Sequence, residues 1–323
     1  MKKKTKRIGL LTSGGDAPGM NAAIRSVVRS AVHYKIEAMG IFRGYEGLIN
    51  EDMKLLDHRS VSNIINRGGT LLKTDRSEKF KTVEGRSRAY EVIKKNNIDG
   101  LVLIGGDGTY RGGLALYREW GVPCVGVPGS IDNDINGTDS TIGSDTAVNT
   151  ALEAIDKIRD TATSMERIFV VEVMGRSSGY IAINAALGGG AEDVLIPERK
   201  FDMKELCQDI VEGNLRGKVS WIVVTAEGVA KATDVAGIIT ETTSLETRVV
   251  TLGHIQRGGS PTAKDRILAT RLGFEAVKLL RNCSDAKAVG VIGSKINIVS
   301  LKSAVIKKRE DVNSLYRLIK ILT

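Results

Sequence analysis

Short apolar segments of strand length alternate with helix-forming segments over most of the chain. Helices that alternate with strands are typical of parallel sheets covered by helices. The predicted strands are Arg7–Leu11, Ile36–Ile41, Gly100–Ile104, Val122–Val127, Ile168–Val173, Val194–Ile196, Ser220–Thr225 and Thr247–Leu252. The predicted helices start at about Ala22 or cover Gly85–Lys95, Asp145–Asp160 and Met203–Arg216. Gly44–Gly47 is predicted to be a loop. The pattern as a whole predicts an α/β fold.

The length of the chain, 323 residues, is enough for one large domain or two ordinary ones. Hydrophobic residues make up 42%, aromatic residues are sparse at 4%, and glycine is abundant with 36 residues. This composition suits α/β layers with many tight turns between strands and helices. We find no internal repeat and no flexible linker, so a second domain is expected to be inserted or interwoven.

The sequence has no run of about 18 apolar residues, so no transmembrane helix and no membrane partner are expected. The segment Met1–Arg7 has neither a signal-peptide core nor a cleavage pattern. The cysteines Cys124, Cys207 and Cys283 are odd in number and lack the spacing of a metal site. These features favour a cytoplasmic protein over a disulfide scaffold.

The net charge is +9, from 47 Lys and Arg against 38 Asp and Glu. A basic solvated surface explains part of it, helped by Lys307-Lys308-Arg309 and the lysine-rich start. Anionic ligands such as phosphates are the functional interpretation. Nucleic acid is not expected, because no binding motif and no aromatic–basic pattern are present.

The segment Pro128–Asp134 follows a predicted buried strand and holds a hydroxyl, Ser130, and two carboxylates, Asp132 and Asp134. Ligands of open α/β sheets bind at the carboxyl ends of the strands. A carboxylate at that position can accept a proton from a substrate hydroxyl or hold a metal. A capped turn is the alternative, because Asp and Asn are ordinary turn formers.

Two glycine-rich segments, Thr12–Asn21 and Gly105–Thr109, also follow predicted strands. Glycines at such positions allow backbone N–H groups to approach a phosphate, and one carboxylate among them suits Mg²⁺. The Thr12–Asn21 segment has neither the dinucleotide nor the Walker spacing, so it is a weak signal by itself. For Gly105–Thr109, a tight turn stays open as the alternative. Arg25 and Arg29 share one face of the first helix, which predicts a solvated face or a phosphate clamp.

Several strand ends therefore carry glycines, carboxylates or arginines, which predicts one site built from many loops. The acceptors and cations are Asp107, Asp132, Asp134, Glu227, Arg76, Arg176, Arg248 and Arg257. No known Ser–His–Asp or Cys–His signature is present, and three histidines exclude a His-rich metal site. Phosphoryl transfer needs mainly positioning and charge neutralisation, which matches this inventory.

These motifs resemble those of the bacterial-type ATP-dependent 6-phosphofructokinase family, from about Arg7 to at least Leu280. The segments that carry the resemblance are Ser13–Asn21, Asn66–Thr70, Gly105–Thr109, Pro128–Asp134, Glu172–Arg176 and Gly253–Pro261. The resemblance implies the phosphofructokinase fold, two Rossmann-like three-layer αβα domains with mostly parallel sheets. It implies a larger ATP-binding domain at 1–142 and 255–305, and a smaller fructose 6-phosphate-binding domain at 143–254 and 306–323.

The reaction implied by the resemblance is phosphorylation of fructose 6-phosphate at its 1-hydroxyl by MgATP. Asp132 would be the base and Asp107 the Mg²⁺ ligand, while Arg76, Arg176 and Gly14 would stabilise the transferring phosphoryl group. The implied ATP-binding residues are Gly15, Arg76, Ser77, Gly106, Asp107, Gly108 and Thr109. The implied sugar-binding residues are Ser130, Ile131, Asp132, Asp134, Arg167, Met174, Gly175, Arg176, Glu227, Arg248, His254 and Arg257.

The family also implies a homo-oligomer, most often a tetramer, because Arg167 and Arg248 correspond to residues that reach a neighbouring subunit's sugar phosphate. Glycine at 108 and 129, where pyrophosphate-using relatives place Asp and Lys, favours ATP. The implied effector site for ADP or phosphoenolpyruvate contains Arg25, Arg29, His58, Arg59, Arg159, Gly190, Glu192, Arg216 and Lys218.

Departures from the family pattern concentrate at the effector residues, where His58 replaces the usual Arg and Asn63 the usual Asp. A protonated His58 would make the effector response sensitive to pH. Near the active site, Ser130 replaces Thr, and Lys73 and Ser144 are unusual. Two alternatives stay open: a kinase of NAD or a lipid, which would share only Gly105–Thr109, and a non-catalytic metabolite sensor.

Overall fold

The computed structural model describes residues 5–282, 284–308 and 312–322, so Cys283 and Arg309 lie outside the described residues. The chain divides into two compact units. The first falls within residues 1–145 and 257–309, and the second within 146–256 and 310–323. Each unit contains its own sheet.

The first unit is built on a seven-stranded sheet within the described residues. Its strands are β1 Arg7–Ser13, β2 Glu37–Ile41, β3 Met53–Leu56, β4 Gly100–Gly105, β5 Cys124–Pro128, β10 Ala286–Ile292 and β11 Lys295–Ser300. Their order is β11-β10-β5-β4-β1-β2-β3, and only the edge strands β3 and β11 run antiparallel to their neighbours. Leu10, Val102 and Val125 are wholly buried, as expected for central parallel strands.

Helices cover both faces of this sheet. They are α1 Met20–His33, α2 Gly44–Ile49, α3 Val83–Lys95, α4 Asp107–Trp120, α9 Ala263–Leu280 and α10 Leu301–Ala304. One continuous apolar cluster joins Leu101 and Leu103 of β4 to α2, α3, α4 and α10. Helices α1 and α9 pack against each other, and α9 contacts β4, β5 and β10. Ile24, Val27, Val28 and Ala31 of α1 are buried, and their i, i+3, i+4, i+7 spacing places them on one face of the helix.

The second unit has a four-stranded parallel sheet in the part of the chain that is described. Its strands are β6 Ile168–Val173, β7 Asp193–Leu195, β8 Trp221–Ala226 and β9 Thr247–Thr251, in the order β7-β8-β6-β9. The accompanying helices are α5 Ser144–Met165, α6 Tyr180–Gly188, α7 Met203–Leu215, α8 Ala232–Thr243 and α11 Asn313–Leu322. The predicted α/β class with mostly parallel sheets is confirmed.

One local prediction is wrong, because Gly44–Gly47 is not a loop but the first turn of α2. Two glycines in four residues disfavour a helix locally. Tertiary burial outweighs that preference: Tyr45 is buried and stacks on Phe80 with 3.9 Å between ring centroids, and Leu48 is fully buried. A smaller error is the start of β5, since the strand begins after Pro123, which has no N–H to donate.

No helix among the described residues is long and apolar enough to cross a membrane.

Candidate active site

Three neighbouring parallel strands of the first unit end side by side. In the ladder, Ser13 of β1 pairs with Gly105 of β4, and Gly105 pairs with Pro128 of β5. The ladder continues into the next loop, because Gly129 N donates to Gly105 O at 3.1 Å. Adjacent strands lie about 4.8 Å apart, so the three loops that follow begin within about 10 Å of one another.

These loops lie at the point where the strand order of the sheet reverses. From β1 the chain proceeds through α1 to β2 on one side, whereas β4 and β5 lie on the other side of β1. Crossover helices leave such a point in opposite directions, which opens a crevice at the carboxyl ends of the strands. The sequence-predicted residues Gly14, Asp107 and Asp132 all belong to loops that emerge here.

The loop after β1 brings backbone close to a guanidinium group. Gly14 has a φ of 86°, a conformation that favours glycine. The Arg257 guanidinium lies across Gly15, where a Cβ would collide with it, and Arg257 Nη1 donates to Asp16 O at 3.1 Å. Arg257, implied as a sugar ligand, thus contacts the glycine loop of its own unit.

The loop after β4 starts helix α4 directly. Gly106 is the N-cap, and Asp107 and Thr109 lie in the first turn, where unpaired N–H groups favour anions. Within the described residues, a Cβ at Gly106 or Gly108 would meet no atom within 4 Å, so space lies open beside this turn. The side chain of Asp107 is 48% exposed and pairs with Arg111 Nε at 3.3 Å.

The loop after β5 is tightly organised around Ser130. Its hydroxyl donates to Asp134 Oδ1 at 3.0 Å and accepts from the backbone N–H of Asp132 at 3.3 Å. Asn133 closes the loop by donating to Asp139 O and accepting from Thr141 N. Ile131 and Asp132 are buried, with Asp132 only 4% exposed. This network holds the main chain at Asp132, which carries the buried carboxylate.

The predicted ATP-site residues Arg76 and Ser77 follow a segment that is tied to the glycine loop. Thr74 Oγ1 donates to Gly14 O at 2.6 Å. Ser77 Oγ donates to Glu46 Oε2 at 2.5 Å and accepts from Phe80 N. Arg76 is exposed. The structure therefore brings this segment beside the β1 loop.

In the second unit, the loop after β6 is held by a carboxylate from the loop after β8. Glu227 Oε1 accepts from the backbone N–H groups of Gly175 and Arg176 at 3.3 and 3.1 Å. Met174 N donates to the buried Gln256 Oε1 at 3.3 Å, and His254 is exposed two residues earlier. Met174, Gly175, Arg176 and Glu227 thus lie together at the carboxyl end of this sheet.

Arg167 and Arg248 lie at the opposite end of the same sheet. Arg167 directly precedes β6, and Arg248 is the second residue of β9. Both contact one carboxylate: Arg167 Nε is 2.8 Å from Glu246 Oε2, and Arg248 pairs with Glu246 Oε1. Strand β6 has six residues, so about 20 Å separates this pair from Arg176.

Four of the predicted effector residues converge in the second unit. Arg159 donates to Gly189 O and Gly190 O at 2.8 and 2.5 Å. Glu192 Oε1 lies 3.5 Å from Arg159 Nη1 and 3.4 Å from Lys218 Nζ. Arg216 is exposed and pairs instead with Glu212, one turn away on its own helix.

The other predicted effector residues lie in the first unit. Arg25 and Arg29 are on one face of α1, and burial, followed by the charge of Arg29, lowers the pKa of Arg25. His58 and Arg59 are in the turn after β3, where Asp57 Oδ1 accepts from Arg59 N at 3.0 Å. The main chain of Asn63 is left-handed, with a φ of 56°.

Sequence reasoning missed several residues that hold the predicted site. Glu46 holds Ser77, Arg111 pairs with Asp107, and Glu246 joins Arg167 to Arg248. The i,i+4 spacing of Asp107 and Arg111 in the sequence indicates an ion pair on one helix. Glu46 offered none, because it lies 31 residues from its partner.

No group of three or more His, Cys, Asp or Glu side chains among the described residues is arranged to hold a metal ion. Mg²⁺ commonly uses one or two carboxylates together with substrate phosphates. A single accessible carboxylate such as Asp107, beside a helix N-terminus, is a donor set of that kind.

Comparison with known proteins gives consistent results. The profile of the family described as phosphofructokinase matches residues 7–280. An ATP-dependent 6-phosphofructokinase of Halothermothrix orenii is 51% identical over 330 residues, which covers 98% of this chain and 99% of that protein. The ATP-dependent 6-phosphofructokinase 1 of Thermus thermophilus is 55% identical over 320 residues, with the same coverage.

Solved structures show the same likeness. The phosphofructokinase of Saccharomyces cerevisiae superposes with a TM-score of 0.89 at 36% identity, over 93% of this chain and 45% of that chain, so this chain spans under half of the yeast chain. A pyrophosphate-dependent phosphofructokinase from Marinobacter aquaeolei, at 21% identity and a TM-score of 0.83, shares the fold over 95% of this chain and 86% of that one. The matched profile and these relatives show that the chain belongs to the phosphofructokinase family.

Proposed function

We propose that this protein phosphorylates fructose 6-phosphate at the 1-hydroxyl, with ATP as the donor, to give fructose 1,6-bisphosphate and ADP. The observation that carries the proposal is the set of three in-register strand ends at Ser13, Gly105 and Pro128. They bring together a glycine-rich loop, a carboxylate at a helix N-terminus and a buried carboxylate. The names of the curated relatives point to the same reaction.

Asp132 is the proposed base. Its side chain is buried, and the bond from its backbone N–H to Ser130 Oγ holds the main chain of this segment in place. The proton moves from the sugar hydroxyl to Asp132 as the oxygen attacks the γ-phosphorus of ATP. Asp134, held by the Ser130 hydroxyl, and Ile131 belong to the proposed sugar-binding segment.

The donor phosphates are assigned to the glycine loop and the first turn of α4. Backbone N–H groups from Gly14 to Gly15 and from Gly106 to Thr109 would cradle them, and Arg76 would supply positive charge. Asp107 is the proposed ligand of Mg²⁺, which neutralises phosphate charge when it is bound. The open space beside Gly108 supports a nucleotide rather than pyrophosphate as the donor.

The sugar phosphate is assigned to residues of the second unit and of the segment Gly253–Arg257. The proposed ligands are Arg167, Met174, Gly175, Arg176, Glu227, Arg248, His254 and Arg257. Arg176 would also stabilise the transferring phosphoryl group. Arg167 and Arg248 lie about 20 Å along the sheet from Arg176, too far for all three to contact one phosphate within one protomer. This separation supports a homo-oligomer, proposed as a tetramer, in which the pair serves a neighbouring subunit's site.

Regulation is proposed at the cluster of Arg159, Gly190, Glu192 and Lys218. Two half-buried cations around one carboxylate leave net positive charge for ADP or phosphoenolpyruvate. Arg25, Arg29, His58, Arg59 and Arg216 are the remaining residues proposed for effector binding. A cytoplasmic location is proposed as well, and the buried free thiols of Cys124 and Cys207 are compatible with it.

Initial rates with fructose 6-phosphate, measured with ATP and with pyrophosphate, test the reaction. Turnover is expected with ATP as the donor and not with pyrophosphate. Asp132→Asn should lower kcat by about two to four orders of magnitude with a much smaller change in KM. Asp52→Asn is the matched control, because that partly exposed carboxylate pairs with Arg43 and its replacement should leave kcat unchanged. Near-normal turnover by Asp132→Asn would remove Asp132 from the base role.

A further inference from the structure

Two consecutive buried carboxylates, Glu192 and Asp193, lie at the start of β7 and have different partners. Glu192 contacts Arg159 and Lys218, and its Oε2 accepts from Ile222 N at 2.6 Å. Asp193 contacts the C-terminal helix α11, which packs on α6 and β7. One short stretch of backbone therefore joins the proposed effector cluster to α11.

Lys320 of α11 is the cation that neutralises Asp193. Its Nζ donates to Asp193 Oδ2 at 2.6 Å and to Asp209 Oδ2 at 2.8 Å. Tyr316 Oη lies 3.4 Å from Asp193 Oδ1, and the Arg199 guanidinium lies 4.0 Å from the centre of the Tyr316 ring. Burial lowers the pKa of Lys320, but the bonds to Asp193 and Asp209 outweigh it and raise that pKa above its usual range.

The two carboxylates bound by Lys320 differ in what they can do without it. The side chain of Asp193 is 5% exposed, whereas that of Asp209 is 41% exposed and can be hydrated. A buried carboxylate that loses its cation must take up a proton or move toward water. A shift of Asp193 would act on the adjacent Glu192, whose backbone N–H is bonded to Ile222 O at 2.9 Å.

We propose that Lys320 is a positioning residue for the Arg159–Glu192–Lys218 cluster, so that the C-terminal helix sets the affinity of this cluster for phosphorylated anions. The proposal rests on the proposed function of the cluster as an effector site. It goes beyond that function by assigning control of the site to α11.

Binding of ADP and of phosphoenolpyruvate to the full chain, measured by calorimetry, tests the proposal. Lys320→Met keeps much of the side-chain length but removes the charge, and it should weaken effector binding about tenfold. Lys320→Arg should restore binding, because Lys320 lines a cavity of about 580 Å³ that has room for a guanidinium. Asp209→Asn is the matched control, since it keeps the Lys320–Asp193 bond and should bind as the unaltered protein does.

A second readout does not depend on the effector. Lys218 Nζ lies 4.7 Å from the centre of the Trp221 ring, and the sequence has two tryptophans, of which the other is Trp120. In a Trp120→Phe background, the fluorescence of Trp221 reports how close Lys218 lies. Lys320→Met should shift the emission of Trp221. Lys320→Arg should have the same Trp221 emission as the protein with Lys320.

The outcomes separate the two proposals. If neither anion binds the unaltered protein, the effector role fails, while a shift of Trp221 emission in Lys320→Met still supports positioning. Unchanged affinity and unchanged emission in Lys320→Met would overturn the positioning role. A lower melting temperature without either change would overturn it as well, because the lysine would then only stabilise α11.

Discussion

Thr109 Oγ1 donates a hydrogen bond to the backbone carbonyl of Ser13 at 2.9 Å, and both residues are buried. The bond joins the first turn of α4 to the end of β1. It therefore connects the two loops to which the ATP phosphates are assigned. One hydroxyl group thus adds a side-chain bond to the backbone ladder that already pairs Ser13 with Gly105.

Thr109→Val should destabilise the fold and weaken ATP binding. Valine has nearly the same shape but leaves the buried Ser13 carbonyl without this donor, which costs about 1–3 kcal/mol. The expected results are a lower melting temperature and a raised KM for ATP. Thr109→Ser keeps the hydroxyl and is the control. Equal KM values for the Val and Ser variants would show that the bond does not position the ATP loops.

Tyr110→Phe should stabilise the protein by about 1 kcal/mol. Within the described residues, no hydrogen-bond partner lies near the Tyr110 hydroxyl, which is fully buried, and burial raises its pKa well above the usual value. Removing an unsatisfied buried polar group recovers its desolvation cost. A rise in the denaturant midpoint measures the effect.

Tyr45→Phe is the control for Tyr110→Phe, because the Tyr45 hydroxyl has a hydrogen-bond partner. Tyr45 is also buried, but its hydroxyl donates to Thr109 O at 2.5 Å. Loss of this hydrogen bond in Tyr45→Phe should lower the denaturant midpoint. A fall in the midpoint for both variants would mean that the Tyr110 hydroxyl has a partner, such as a buried water.

Lys73→Gly should stabilise the loop that leads to Arg76. The φ of Lys73 is 57°, a left-handed conformation that costs about 1–2 kcal/mol for an L-residue. Glycine avoids this cost but gains about 0.4–1 kcal/mol of entropy in the unfolded chain, so a net stabilisation of about 0.5–1 kcal/mol is expected. The backbone bond from Lys73 N to Thr70 O and the bond from Thr12 Oγ1 to Lys73 O can both remain.

Asn63→Gly is the comparison for Lys73→Gly. Asn63 has a similar φ of 56°, but asparagine tolerates the left-handed region better than lysine. Thermal unfolding should show the smaller gain for Asn63→Gly. A loss of stability in Lys73→Gly would indicate that the lysine side chain makes contacts worth more than the relieved strain.

Strands that are buried on both faces could be predicted closely from the sequence. Strand β6 has the predicted limits Ile168 and Val173, because parallel strands covered by helices are continuous apolar runs. Helix α2 could not be predicted in this way, because the burial of Tyr45 and Leu48 depends on distant partners such as Phe80. Local propensity is a weak guide where tertiary packing decides.

The C-terminal third illustrates the same limit. No strand was predicted at β10 or β11, although Gly293 and Ser294 form a two-residue turn that pairs Ile292 with Lys295. A glycine-led two-residue turn was a readable hairpin signal. The contacts of α11 were out of reach, because Lys320 meets Asp193 from 127 residues away. Among the proposed site residues, those with a motif could be named in advance, whereas supports such as Glu46 and Glu246 follow only from the fold.

Glu46→Gln should change the dependence of stability on pH. The bond from Ser77 is the largest cause that lowers the pKa of Glu46, and Asn50 and Lys79 lower it further, against the opposing effect of burial. A carboxyl with a lowered pKa stabilises the fold above its unfolded pKa, near 4.5, and this contribution is lost as the pH falls through the folded pKa. The melting temperature of Glu46→Gln should therefore lie below that of the unaltered protein at pH 7, and this difference in melting temperature should narrow below about pH 4.5.

Glu78→Gln is the control for this experiment. Glu78 is exposed and pairs with Lys81 at the surface, so the melting temperature of Glu78→Gln should differ little from that of the unaltered protein at every pH. If the difference in melting temperature between Glu46→Gln and the unaltered protein stays constant or widens on acidification, the ionised Glu46 does not stabilise the Ser77 segment.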